Sequence, residues 1–143
     1  MKQTNMDVPD HRSDNCKFVN SVLARIGDKW AVLVVRVLGF GSLRFSELQR
    51  KISGISQRML TLTLRGLERD GLVKRTIFPT VPPRVDYELT PLGHSLLEPV
   101  RALGDWAFAH QAQIVAARET FDRAADETAA QKAKPPRITR RAA

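Results

Sequence analysis

The sequence predicts a mainly α-helical domain carrying one small β-hairpin. Apolar residues recur at helical spacing along most of the chain. One stretch, residues 72–89, instead alternates and folds back over a proline-rich tip. The length, 143 residues, and the 43% hydrophobic content suit one compact core and are too small for two ordinary domains.

The elements follow in order. Residues 1–15 show no apolar periodicity and are expected to form a mobile arm. They have no apolar run of the kind a secretory signal needs, so a cytoplasmic, nucleoid-associated chain is expected. From Cys16 the pattern turns helical, with Phe18, Val22 and Ile26 in line and Val19 and Leu23 beside them. Gly27 ends that helix, and Asp28 is placed to cap the next. Residues 30–38 are apolar nearly all round with Arg36 their only charge, the signature of a buried central helix. Residues 43–45 read as a short extended piece. Ser46 and Gln49 read as a capping box opening a short helix to Ile52. After the Ser53-Gly54 turn, Ser56 caps a longer helix to Asp70, which Gly71 stops.

The hairpin comes next, residues 72–78 and 84–89 around Pro79, Pro82 and Pro83. Thr90-Pro91 is a strong helix start. The helix it opens is expected to run to about Arg118, with Leu92, Leu96, Val100, Leu103, Ala107 and Ile114 on one stripe and a kink at Pro99. The predicted organisation is an arm (1–15), one domain (16–128) and a disordered basic tail (129–143).

Charge is distributed unevenly. The whole chain carries +8, but residues 44–84 hold nine basic and three acidic groups, and residues 132–143 hold five basic and none acidic. Residues 85–131 carry a net −5. Positive charge concentrated in one internal block is the footprint of a polyanion binder. Three helices, a short strand and a hairpin, in that order, form a winged helix-turn-helix, whose second paired helix enters the major groove of double-stranded DNA.

That helix can be read by its own periodicity. Leu60, Leu64 and Leu67 face inward, and the opposite face carries Arg58, Thr61, Leu62, Arg65 and Arg69. Ser56, Gln57 and Arg58 lie at the helix start, where base edges are reached. Leu62 has two readings, a contact to a thymine methyl or a tolerated exposed leucine. On the wing, Lys74, Arg75 and Arg84 are the candidate DNA contacts, Arg84 by entering a minor groove. Pairing of Arg84 with Asp86 is the competing reading.

Other functions find little support. The longest apolar run is six residues, far short of the ~20 a membrane helix needs, so no membrane partner is expected. A single cysteine, Cys16, excludes an internal disulfide and a structural zinc site of the cysteine type. His11, His94 and His110 show no metal or triad spacing, and no phosphate loop or nucleophile elbow occurs, so neither an enzyme nor a cofactor is expected. The rival readings are a non-specific architectural nucleic-acid binder and a winged-helix module that binds protein.

The segments IGDKW (26–30), LRFSEL (43–48), GISQRMLTLTLRGLERDGLVKR (54–75) and PPRVDYELTPLG (82–93), with Cys16 ahead of them, resemble the HxlR-type winged-helix transcription regulators of bacteria, relatives of the MarR group. The resemblance covers about residues 16–110 and is specific as a set. It implies a homodimer, joined through its first and last helices, on a near-palindromic operator. It also makes Cys16 a candidate redox or electrophile sensor, since some members sense oxidants or quinones at that position. Independently, Cys16 lies at a helix start beside Lys17, and as the sole cysteine it can form only intermolecular disulfides. The chain departs from the common pattern at Asp28, where glycine is usual, at Lys17, where proline is usual, and at Leu62, where polar residues are frequent.

Overall fold

The computed structural model describes residues 13–137. The expected arm therefore lies largely outside the described residues. The first helix, α1 (Asp14–Gly27), starts two residues before Cys16 because the Ser13 hydroxyl accepts a hydrogen bond from the Cys16 N–H at 3.2 Å. A cap carries no apolar periodicity, so hydrophobic spacing alone misses this start. Helix α2 (Lys29–Leu38) is capped by Asp28, whose carboxylate accepts from the Trp30 N–H at 3.2 Å. It buries Ala31, Val34, Val35 and Leu38 and forms the centre of the core, as its all-round apolarity predicts.

Strand β1 (Leu43–Arg44) leads into α3 (Phe45–Lys51), then α4 (Gln57–Arg69), β2 (Val73–Phe78) and β3 (Arg84–Leu89). The sheet has three antiparallel strands in the order β1-β3-β2. Val73 to Phe78 pair with Leu89 to Arg84, and Leu43 and Arg44 pair with Tyr87 and Asp86. The short strand and the two-stranded hairpin are both present as expected, and the pairing of β1 with β3, which the sequence does not announce, joins them into one sheet. A two-residue strand shows no alternation, and its partner lies far along the chain. The same pairing corrects the expected Ser46 cap. β1 holds Arg44 extended, so α3 begins at Phe45 with no side-chain cap.

Leu48, Ile52 and Ile55 close the core from one side, Leu60, Leu64 and Leu67 from another, and Val73, Tyr87 and Leu89 from the sheet. Thr63 is buried with them, its hydroxyl donating to the Met59 carbonyl at 2.8 Å. Helix α5 (Pro91–Ala109) begins where Thr90 accepts from the Gly93 N–H at 3.1 Å. Gly93 sits so close to the Leu72 carbonyl that a β-carbon there would overlap it.

The chain divides into two units, one up to Arg101 and one from Ala102 onward. The single helix expected to reach Arg118 is in fact two helices. Helix α5 stops at Ala109, and α6 (Gln111–Ala133) follows. At the joint, His110 stacks on Trp106 at 4.7 Å, and both its N–H and its Nδ1 reach the Trp106 carbonyl. Helix α6 also corrects the predicted tail, since residues 129–133 are helical. They are rich in alanine, the strongest helix former, and the first proline comes only at Pro135. Residues 138–143 lie outside the described residues. No helix among the described residues is long and apolar enough to cross a membrane.

Candidate nucleic-acid interface

The helix pair α3–α4 turns at Gly54, which adopts φ +83°, a left-handed conformation that glycine tolerates. The Ser56 hydroxyl accepts from the Met59 N–H at 3.1 Å and opens α4. At its other end the Gly71 N–H donates to Glu68 at 3.0 Å and the Leu72 N–H to Leu67 at 2.9 Å, with Gly71 at φ +74°. These two bonds form a Schellman stop, so both ends of α4 are set by local hydrogen bonding.

Between those ends α4 has two faces. Leu60, Thr63, Leu64 and Leu67 are buried. Gln57, Arg58, Leu62, Arg65 and Arg69 are exposed, Leu62 at 53%. Thr61 is half-buried, and its hydroxyl donates to the Gln57 carbonyl at 2.9 Å, so its proton is engaged within the helix. Among the described residues no carboxylate lies within ion-pairing distance of Arg58, Arg65 or Arg69. The ion pairs found there are Arg25–Asp70, Arg75–Glu68 and Arg84–Asp86. The outer face of α4 thus presents three uncommitted guanidinium groups.

The wing is different. Arg75 lies 3.8 Å from Glu68 of α4 and stands across the ladder from Tyr87. Arg84 makes a two-pronged contact to Asp86, Nε to Oδ1 at 2.8 Å and Nη2 to Oδ2 at 2.9 Å, and stacks over Phe78. This hydrogen bond, reinforced by the charges of Arg84 and Arg44, holds the Asp86 carboxyl below the usual carboxylate range. The same hydrogen bond raises Arg84 further above its ordinary value. Burial pushes the Tyr87 hydroxyl up. The competing sequence reading of Arg84, pairing with Asp86, is the one realised here. Lys74 is exposed and stands across the ladder from Glu88 without an ion pair.

Three further exposed cations carry no role in the sequence reading. Arg50 and Lys51 are exposed in the last turn of α3, and Arg44 is exposed on β1. Arg50 lies two residues, about 200° round the helix, beyond the buried Leu48, and that spacing is the signal that it faces outward. Cys16 is partly exposed in the first turn of α1. A groove of about 600 Å³, lined by Phe18, Val22, Leu92, Leu96 and Pro99, reaches Arg69 at its rim.

Residues 25–114 match the HxlR-like helix-turn-helix family. The HTH-type transcriptional regulator YtfH of Escherichia coli K12 is 44% identical over 98 residues, covering 68% of this chain and 78% of that protein. Its solved counterpart from Salmonella typhimurium superposes with a TM-score of 0.65 at 42% identity, over 71% of this chain and 90% of that one. The reduced form of the redox regulator HypR superposes with a TM-score of 0.64 at 38% identity, over 68% and 97%. These relatives are transcriptional regulators and not enzymes. On the matched residues and these identities, the chain belongs to the HxlR-like helix-turn-helix family of transcriptional regulators.

Proposed function

We propose that this chain acts in the cytoplasm as a homodimer, reading a near-palindromic operator with α4 in the major groove. The outer face of α4 carries the reading. It bears Arg58, Arg65 and Arg69 free of acidic partners, on a helix whose other face is locked into the core. Arginine pairs in bidentate fashion with guanine in the major groove, and the first-turn residues Gln57 and Arg58 are best placed to do so. Leu62 adds an apolar contact on the same face. Lys74, Arg50 and Lys51 supply phosphate contacts, with Arg75 and Arg84 secondary. Selection from a random DNA pool by the purified protein tests this. A recovered motif with two half-sites supports it, and binding that competitor DNA removes equally at every sequence leaves only an architectural binder.

The dimer is supported by apolar surface left open on each unit. Phe18, Val19 and Leu23 are more than half exposed on α1, and Leu103, Trp106 and Phe108 are 58–80% exposed in the second unit. Surface of this kind marks an interface. Sedimentation at micromolar concentration that finds only the 16.0 kDa chain overturns the dimer.

A regulatory reading is favoured by one observation, the likeness to HypR, a redox regulator. Cys16 is partly exposed at the start of α1, where oxidation or attack by an electrophile would act on a dimer helix. Operator binding with and without diamide, in wild type and Cys16→Ser, tests it. Equal binding in all four cases makes Cys16 a packing residue. The basic residues from 132 onward add a non-specific electrostatic arm, which truncation after Ala130 at low salt tests.

A further inference from the structure

Helix α1 is loosely attached. None of its side chains is fully buried. Among the described residues it makes one side-chain hydrogen bond to another element, Arg25 Nε donating to Asp70 Oδ2 at 2.8 Å. Asp70 is the C-cap of α4. A carboxylate there faces the negative end of the helix dipole, so a cation beside it relieves a local repulsion.

A second contact accompanies this one. The Arg25 guanidinium also lies against the backbone of α4 at Gly66. A β-carbon at that position would meet the guanidinium carbon at 2.6 Å. Gly66 therefore lets a planar cation lie on α4 one turn before Asp70. By helical angle, Gly66 and Asp70 fall on the flank between the buried stripe of Leu60, Leu64 and Leu67 and the outer face of Arg65 and Arg69. Arg25 and Asp70 are about one-third exposed, so the pair is anchored at the edge of the DNA face without being part of it.

We infer that Arg25 is a positioning residue, which ties α1 to α4 through Gly66 and Asp70 and so sets the spacing of the two recognition helices in the dimer. The inference rests on the reading above, that α1 lies in the dimer contact and α4 in the major groove. A dimer must place its two recognition helices about one turn of B-DNA apart, so the connection between dimer helix and recognition helix determines which half-site spacing is bound. A guanidinium suits this role better than an ammonium. Its plane can lie on the bare backbone at Gly66 while its edge donates to the carboxylate.

The test is selection from a DNA pool in which both the half-site bases and the spacing between half-sites vary. The proteins are full-length wild type, Arg25→Ala, Arg25→Lys, Gly66→Ala and the near-isosteric Asp70→Asn, each also followed by thermal melting. The expected result is that all variants keep the wild-type half-site bases. Arg25→Ala, Gly66→Ala and Asp70→Asn should lose about five- to tenfold of the preference for the wild-type spacing over spacings one base pair longer or shorter. Arg25→Lys, which keeps the charge but not the planar fork, should recover part of it. Spacing selectivity unchanged in Asp70→Asn, whatever happens to its melting temperature, makes the contact merely structural and overturns the inference. A wild type that selects half-site bases but no spacing overturns it too, together with the dimer. A wild type that selects no bases overturns the recognition reading itself.

Discussion

Helix α4 and the β2–β3 wing carry similar cations to different ends. On α4, Arg58, Arg65 and Arg69 point outward with no carboxylate in reach. On the wing, Arg84 is gripped by Asp86 from two sides, and Arg75 turns toward Glu68. The difference is geometric. A helix whose inward stripe is leucine and whose acids sit at its flank and end separates its arginines from them. An antiparallel ladder puts same-face residues side by side, two apart on a strand or opposite across it, so Arg84 and Asp86 meet by construction. A count of positive charge over residues 44–84 treats these cations as equal. Only the uncommitted ones are available to a phosphate or a guanine without first breaking a pair.

The largest effect that can break this comparison lies beneath α4. Leu64→Ala removes part of the stripe that holds the helix and should cost about 2–5 kcal/mol in denaturant unfolding. Arg58→Ala on the opposite face should change stability by less than about 0.5 kcal/mol. If the two cost the same, α4 does not have the two faces described.

Next in size is DNA recognition. Arg58→Ala should lose about 1–3 kcal/mol of operator affinity and relax the preference at one base position. Unchanged affinity and unchanged preference would falsify the assignment of α4.

The wing should show smaller, sequence-independent effects. Lys74→Ala is expected to lower the salt slope of binding by about 0.9, the value of one phosphate contact. Arg84→Ala should lower it by less, because Asp86 already neutralises most of that charge. Asp86→Asn, which frees Arg84, should strengthen binding to all DNA alike. A fall in slope for Arg84→Ala equal to that for Lys74→Ala would erase the contrast between helix and wing.

The smallest effect is on pH dependence. Because Arg84 and Arg44 depress Asp86, its contribution to stability is fully present above the pKa of an unfolded aspartate. It is lost as pH falls through the lower folded value. The pair is solvent-exposed, so the loss should be slight, but the carboxyl carbon of Asp86 should titrate below the ordinary range by NMR. Arg84→Gln should move that midpoint upward, and an unmoved midpoint would mean that Arg84 does not hold the carboxylate.

Much of the fold is legible before any coordinates. The Asp28 and Ser56 caps, the Gly71 stop, the all-apolar α2 and the alternating hairpin each depend on residues within one helical turn or one strand. The same locality makes the outward face of α4 readable, since Leu60, Leu64 and Leu67 orient the arginines by spacing alone. Where apolar spacing is silent, boundaries are missed. Ser13 starts α1 early, and alanines carry α6 to Ala133 through a segment that composition assigns to a tail.

What the sequence determined by itself is therefore the set of elements, their order and the side of α4 that faces outward, because backbone caps and helical periodicity act over a few residues. Partnership, by contrast, is settled in three dimensions. β1 joins β3, Glu68 meets Arg75, and Arg25 crosses from α1 to lie on Gly66 and bind Asp70. Those partners are brought together by burial of the common core, a contact energy without direction along the chain, so no local pattern announces them.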